Sequence, residues 1–304
     1  MMKGLIFDIR RFSTHDGNGL RTNIFFKGCP LRCVWCQNPE GIAPGAAPIY
    51  FSNTCIGCGT CVKLSRKGGI FLEDGNIRLC RDRPEPWESI IDACPTGALA
   101  MDAREYTVAE LVQEAEKDAV FYRDSGGVTI SGGEPLMQGK FAAKLLEALH
   151  RAGYHTAIET SLYTSQETVE RVLPHLDQIF ADLKVFDEEE HRRCTGVTNA
   201  CIRRNIALIL RSPRRDQVTI RTPLIPGYTT SEQNLAAIAE FLSGLYPDVK
   251  YELLNYNPLA EAKYHLVDRQ YCFTENPNLY NQAQMLHFGE IVKAHGIRNL
   301  ILEI

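Results

Sequence analysis

Cys29-Pro30-Leu31-Arg32-Cys33-Val34-Trp35-Cys36 sets three thiols three and then two residues apart. Thiolates so close in sequence can wrap one metal centre from a short loop, and three ligands leave one position of a cubane cluster unfilled. An open metal position is where a small molecule can bind. The spacing predicts a [4Fe-4S] cluster whose fourth iron is offered to a ligand. A structural zinc loop is the plainer alternative. It would be closed by a fourth Cys or His at short spacing, and none occurs in the ten residues after Cys36.

Upstream, Arg11 to Arg21 contains Asp16-Gly17-Asn18-Gly19, a turn signal, and the apolar run after Arg21 reads as a buried strand that delivers Cys29 to a loop at its C-terminal end. Asp16 and Arg21 would pair with each other or with solvent; gripping a substrate is the sharper alternative. Downstream, residues 46–100 change texture. Cys55, Cys58 and Cys61 form a C-x2-C-x2-C run, and Cys94-Pro95 follows. In bacterial ferredoxins the fourth ligand of a cluster comes from such a distant Cys-Pro. Cys55, Cys58, Cys61 and Cys94 would then close one auxiliary [4Fe-4S] cluster with no open site, four-cysteine zinc being the plainer alternative. A partner cluster is absent: Ser65-Arg66 stands where its Cys-Pro would fall, and only Cys80 lies near a second run. Cys80 is read as a free thiol in preference to a substitute ligand.

The remaining composition narrows the class. The chain has 304 residues, 44% of them hydrophobic and 23% charged, with a net charge of −4. That balance points to neither nucleic acid nor an anionic membrane as partner. The start, Met1 to Asp8, is too short an apolar run for a signal peptide, and no run approaches a membrane span. A cytoplasmic location is expected. Eleven cysteines in a cytosolic chain argue for metal or redox chemistry over disulfides, and eight of them precede residue 95. Cys194, Cys201 and Cys272 lack metal-like spacing. His150, His155 and His295 sit beside helix ends, and Glu188-Glu189-Glu190 reads as a solvated helix face.

From residue 105 strand and helix signals alternate. Strands are predicted at 128–130, 155–159, 178–183, 218–225, 251–256 and 299–302. Helices are predicted near 107–117, 141–152, 165–173, 200–210, 231–244 and 280–294. With the strand containing Ile24 this gives six βα units and a closing strand, hence a parallel sheet. The fold class is α/β: an open, partial (β/α)6 barrel over 1–45 and 101–304, with a ferredoxin-like insertion over 46–100. Chemistry in such folds sits at the C-terminal ends of strands. The Cys29 loop, Ser131–Pro135, Glu159-Thr160, Asp182–Lys184, Arg221 and Asn255–Asn257 all fall near those ends and would face one cavity.

The three-Cys loop with an aromatic before its third Cys resembles the signature of radical S-adenosylmethionine (SAM) enzymes. Arg11–Arg21, Phe25 to Glu40, Ser125 to Pro135, Asp182-Leu183-Lys184 and Ile220 to Gly227 together resemble the activating enzymes of glycyl radical enzymes, the pyruvate formate-lyase activase family, in the same order along nearly the whole chain. The resemblance implies that Cys29, Cys33 and Cys36 hold the cluster whose unique iron is chelated by SAM. It places backbone around Trp35–Gln37 at the adenine and the Gly132, Gly133, Glu134 turn at the methionine amino group. Glu159, Asp182 and Lys184 would line the SAM site, with Asp16 and Arg21 seating a glycine-bearing loop of a partner enzyme. The insertion resembles that of the subgroup with a ferredoxin-like domain.

Two departures stand out. Asn18 replaces the proline of many relatives, which relaxes that turn. Asn257 stands where the formate-lyase activase has a histidine; it could hydrogen-bond SAM but carry no proton at neutral pH. The implied activity is reductive cleavage of SAM and abstraction of a glycine Cα hydrogen by the 5′-deoxyadenosyl radical, with a ferredoxin or flavodoxin as electron donor. A small molecule or another peptide as substrate is the second reading. A plain electron carrier is the third, which would leave the open three-Cys site unused.

Overall fold

The computed structural model describes residues 2–123, 125–267 and 269–303; Met1, where the N-terminal apolar run begins, lies outside them. The chain opens with β1 (Lys3–Ser13) and β2 (Arg21–Phe26), antiparallel across the Gly17–Gly19 turn. β2 is buried along its whole length, its polar Arg21, Thr22 and Asn23 as well as its apolar Ile24, Phe25 and Phe26, as a strand covered on both faces must be. Next come β3 (Pro48–Tyr50), α1 (Thr60–Leu64), β4 (Ile70–Glu73), β5 (Asn76–Leu79), α2 (Trp87–Asp92) and β6 (Leu99–Met101). β3 pairs with β6 and β4 with β5, making two small antiparallel sheets over their own apolar cluster of Cys61, Ile70, Ile77, Ile90 and Leu99.

β7 (Arg104–Thr107) then returns beside β1. It leads to α3 (Val108–Glu116) and α4 (Ala119–Tyr122), after which strands and helices alternate: β8 (Gly127–Gly132), α5 (Gly139–Arg151), β9 (His155–Thr160), α6 (Gln166–Val172) and β10 (Gln178–Asp182). α7 (Glu188–Thr195), α8 (Ala200–Leu210), β11 (Val218–Pro223), α9 (Glu232–Leu245) and β12 (Lys250–Leu254) continue the pattern, and α10 (Glu261–Tyr264), α11 (Gln282–Ala294) and β13 (Asn299–Leu302) end it. One nine-stranded sheet results, in the order β13-β12-β11-β10-β9-β8-β2-β1-β7, with every pair from β2 to β13 parallel.

Local chemistry explains the helix starts. Thr107 with Glu110 and Asn281 with Gln284 form capping boxes, while Ser165 and Ser231 accept from backbone amides of the first turns of α6 and α9. Apolar faces of α5, α8 and α9, including Leu145, Leu149, Ile206, Leu235 and Ile238, close over Ile130, Ile158 and Ile220 of the sheet. The closing strand is a seventh parallel strand, Lys250 opposite Asn299. β1 and β7 were not anticipated. β1 carries Asp8, Arg10 and Arg11, and β7 spans only four residues, so neither shows clean alternation.

Side-chain alternation sends Thr129, Ser131, Glu159, Phe180, Arg221 and Glu252 to one face of the sheet. That face is concave, because the His15 carbonyl, from the β1–β2 turn, lies 3.5 Å from Arg221 Nη2 on β11. Arg21 corrects an expectation. It begins β2, at the opposite end from the cluster loop, is fully buried, and donates to Thr129 Oγ1 (2.6 Å), Val128 O (2.8 Å) and Asn18 O (3.1 Å). Its role is to close that end of the sheet, and Asp16 bonds the Asn23 amide instead of Arg21.

A further buried pair joins the two ends of the segment between β2 and β7. Lys27, at the end of β2, reaches Asp102 at 2.5 Å with both side chains almost fully covered. Asp102 also accepts from Ala47 N (2.8 Å), and its own amide donates to Ala47 O (2.9 Å). Residues 47 and 102 are thus joined at the neck of the segment between them.

Candidate active site

The cluster loop leaves β2 through Gly28, whose φ of 94° suits glycine. Backbone bonds then fix its first half: Cys29 N to Ile42 O (3.0 Å), Arg32 N to Thr195 O (2.7 Å) and Val34 N to Cys194 O (3.1 Å). Leu31, Cys33 and Trp35 are buried with Val185, Cys194, Ile225 and Tyr256. Trp35 is only 3% exposed and packs against Tyr228 at 5.2 Å between ring centroids. Burial pushes the Cys33 thiol up to about 12 and raises Cys29 and Cys36 as well. Each thiol also feels its neighbours, so the three lie within electrostatic reach of one another. Buried thiols of this kind become ligands when a metal supplies the compensating charge.

Among the described residues no group of three or more His, Cys, Asp or Glu side chains is arranged to hold a single metal ion. Zinc needs four donors within about 2.0–2.3 Å of one centre. A cubane spreads its thiolates over separate irons, and three soft sulfur donors with no fourth fit it.

Lys184 faces these thiols. Desolvation works against its charge, but Asp182, in hydrogen-bond contact, and Cys33 and Cys29 outweigh that cost and raise its pKa. Beside it, Glu159 accepts from Ser131 Oγ (2.5 Å) and from Arg221 Nη1 (2.6 Å). Burial pushes Glu159 up to about 7, against the pull of Arg221. Arg221 is also held by Glu252 at 2.6 Å and lies 3.5 Å from the centre of the Phe180 ring. β9, β10, β11 and β12 therefore converge on one charged layer of the concave face.

The Gly132–Glu134 turn abuts the cluster loop. A Cβ on Gly133 would meet Gly28 O at 2.4 Å and Gly41 O at 2.5 Å, so only glycine fits. Glu134 is fully buried, and its carboxylate is taken up within the fold: by Thr160 Oγ1 (2.7 Å), Ser161 N (2.7 Å), Ser161 Oγ (2.5 Å) and Leu136 N (3.0 Å). The side chain shapes the turn, and the turn's backbone is what lies beside Gly28. Gln37 donates to Asn257 O (3.1 Å), while Asn257 Oδ1 accepts from Leu259 N (3.0 Å). These two residues are brought together at the far edge of the loop.

In the segment between β2 and β7, Cys55, Cys58, Cys61 and Cys94 line one cavity with Tyr50, Ile56, Ile77, Pro95 and Leu99. Cys80 is not among the lining residues; its amide bonds Gly69 O at 2.8 Å. Ser65 Oγ donates to Glu85 at 2.7 Å, and Glu85 also receives the amides of Arg66, Lys67 and Gly69. Ser65, at the sequence position where the Cys of a second set would fall, is thus bonded to a carboxylate.

Sequence reasoning placed Arg221 near the cavity but missed its partners Glu252 and Phe180. An acidic residue inside the apolar run of β12 was the available signal. It also missed everything after Asn257 that touches the cluster loop.

The family model described as Radical SAM superfamily matches residues 23–241. An indoleacetate decarboxylase activating enzyme from Tractidigestivibacter scatoligenes is 37% identical over 314 aligned positions, covering 99% of this chain and 98% of that one. A 4-hydroxyphenylacetate decarboxylase activating enzyme from Clostridium scatologenes is 36% identical, with coverage of 95% and 94%. The solved structure of Streptococcus suis SuiB bound to precursor peptide SuiA aligns with a TM-score of 0.54 at 13% identity, over 91% of this chain and 46% of that one, a likeness of fold alone.

Proposed function

Because the chain belongs to the radical SAM superfamily and, within it, to the activating enzymes of glycyl radical enzymes, we propose the following division of work among its residues. Cys29, Cys33 and Cys36 hold a [4Fe-4S] cluster with one iron free for SAM. When bound, cluster and SAM supply a 5′-deoxyadenosyl radical that takes a hydrogen atom from a glycine Cα of the partner enzyme. The chain's own task is to orient and to exclude solvent. Backbone of Trp35–Gln37 meets the adenine, and the Gly132–Gly133 backbone meets the amino group. Glu134 keeps that turn in shape, and Asn257 offers its amide to the ribose. Asp182 and Glu159 line the SAM site, and Lys184 supplies positive charge beside the SAM carboxylate. The single observation that carries this reading is the convergence of three thiols, Cys33 buried and Cys29 and Cys36 half-buried, with Lys184.

The remaining assignments belong to the same proposal. Residues 1–45 and 101–304 form the partial (β/α)6 barrel, and 46–100 a ferredoxin-like insertion, supported by its β-α-β-β-α-β order with two paired-strand sheets. Cys55, Cys58, Cys61 and Cys94 hold one auxiliary [4Fe-4S] cluster. A glycyl radical enzyme is the partner and a ferredoxin or flavodoxin the electron donor. Among the described residues no helix is long and apolar enough to cross a membrane.

The test is anaerobic reconstitution with iron and sulfide, then SAM and a reductant. 5′-Deoxyadenosine should form, and a glycine-centred radical signal should appear in the partner. Cys33→Ala should abolish both, and undiminished 5′-deoxyadenosine from that variant would sink the assignment.

A further inference from the structure

The chain between β12 and α11 folds back over the cluster loop. Gly28 to Val34 is tied to Gly41, Ile42, Cys194 and Thr195, but the loop's second half has different anchors. Tyr264, 5% exposed, places its hydroxyl 3.1 Å from Cys36 O and 3.3 Å from Val34 O. Lys263 reaches Asn38 Oδ1 (2.6 Å) and Glu40 (3.2 Å), past the last thiol. The Tyr264 ring is held in turn. It packs on Tyr271 at 4.8 Å, Tyr271 on Phe273 at 5.6 Å, Phe273 on Tyr228 at 5.9 Å, and Tyr228 on Trp35 of the loop itself at 5.2 Å. The segment is also gripped from the insertion's side, since Arg81 donates to Leu266 O (2.8 Å) and to Pro48 O (2.9 Å).

We propose that Tyr264 is a positioning residue for the radical-generating cluster: its hydroxyl fixes the carbonyls of Val34 and Cys36, and so the direction in which the third thiolate meets its iron. The inference rests on the cluster assignment above. The physical reason is that a ligand's backbone sets its side-chain vector, and the Cys36 amide bonds only within the loop itself, to Cys33 O at 3.2 Å. Partners beyond the ligands commonly matter as much as this to a metal centre. The aromatic chain keeps the hydroxyl from drifting, because every ring in it is anchored by the next.

The decisive variant is Tyr264→Phe, which keeps the ring contacts and removes the donor. Iron and sulfide should load as in the parent, and the melting temperature should stay within a few degrees. The EPR signal of the reduced, SAM-bound cluster should shift or split, its midpoint potential should move, and 5′-deoxyadenosine formation should fall about 10–100-fold. Lys263→Met loosens the same segment without touching the loop carbonyls, and it should leave that EPR signal unchanged. The proposal is overturned if Tyr264→Phe matches the parent in signal, potential and rate. It is equally overturned if Lys263→Met reproduces the Tyr264→Phe spectrum, or if Tyr264→Phe simply unfolds, since the hydroxyl would then serve the segment and not the cluster. A parent protein that bound neither cluster nor SAM would instead overturn the functional reading.

Discussion

Glu159 carries the clearest pH signature of any single residue. Its folded pKa, pushed up to about 7 by burial, stands above the ordinary 4.5, so the folded state holds a proton that the unfolded chain releases. Its contribution to stability is therefore present below 4.5 and is lost as pH rises through about 7. Measured against Glu159→Gln, the wild-type melting temperature should decline as pH goes from about 5 to about 8. Burial raises the Glu134 carboxyl as well, and its bonds make a second test. It is fully buried with four donors, and Glu134→Gln turns an amide against groups that need an acceptor, so denaturant melts should show a loss of about 2–3 kcal/mol. The Gly-Gly-Glu motif was legible in the sequence. Thr160 was legible as a strand-end residue, but its bond to Glu134, and Ser161 altogether, were not, because they come from the end of another strand. Arg21 misled for the same reason: Asp16 is near it in sequence, but the sheet brings Thr129 and Val128 to it instead.

Elements were readable where their period was clean. β8 to β12 and the helices between them alternate without interruption, whereas β1, with charges along it, and the four-residue β7 did not declare themselves. Between β3 and β6 the thiol spacing was legible, but the bonds gathered by Glu85 were not. Ser65 falls where a fourth Cys would follow Cys61, and Glu85 receives its hydroxyl and three amides. Desolvation would raise Glu85, but the bonds from Gly69, Ser65, Lys67 and Arg66 override it and hold it down at about 2. Stability from this carboxylate is present above 4.5 and lost only as pH falls through about 2. In Glu85→Gln the amides of the β4–β5 hairpin should exchange with deuterium faster at neutral pH, and that difference should persist into mild acid.

For the whole molecule, the two sets of thiols make separable predictions. With a cubane at each, Cys58→Ala should lower bound iron from about eight to about four per chain and leave the SAM-dependent EPR signal in place. Loss of that signal along with the iron would mean the sites are not independent. The segment over the cluster loop marks the limit of the sequence reading. It has no periodicity, and Tyr264 meets Cys36 across 228 positions, a pairing that only the assembled sheet creates.

The joined neck at Ala47 and Asp102, clasped by Lys27, makes the segment between them separable. Both of its ends pass through one seam, with β2 on one side and β7 on the other. The segment could be taken out whole without rethreading a strand of the nine-stranded sheet. The same seam is where a gene designer would cut: a chain joining residue 47 to residue 102 through a short glycine linker should keep the nine-stranded sheet and the first thiol loop.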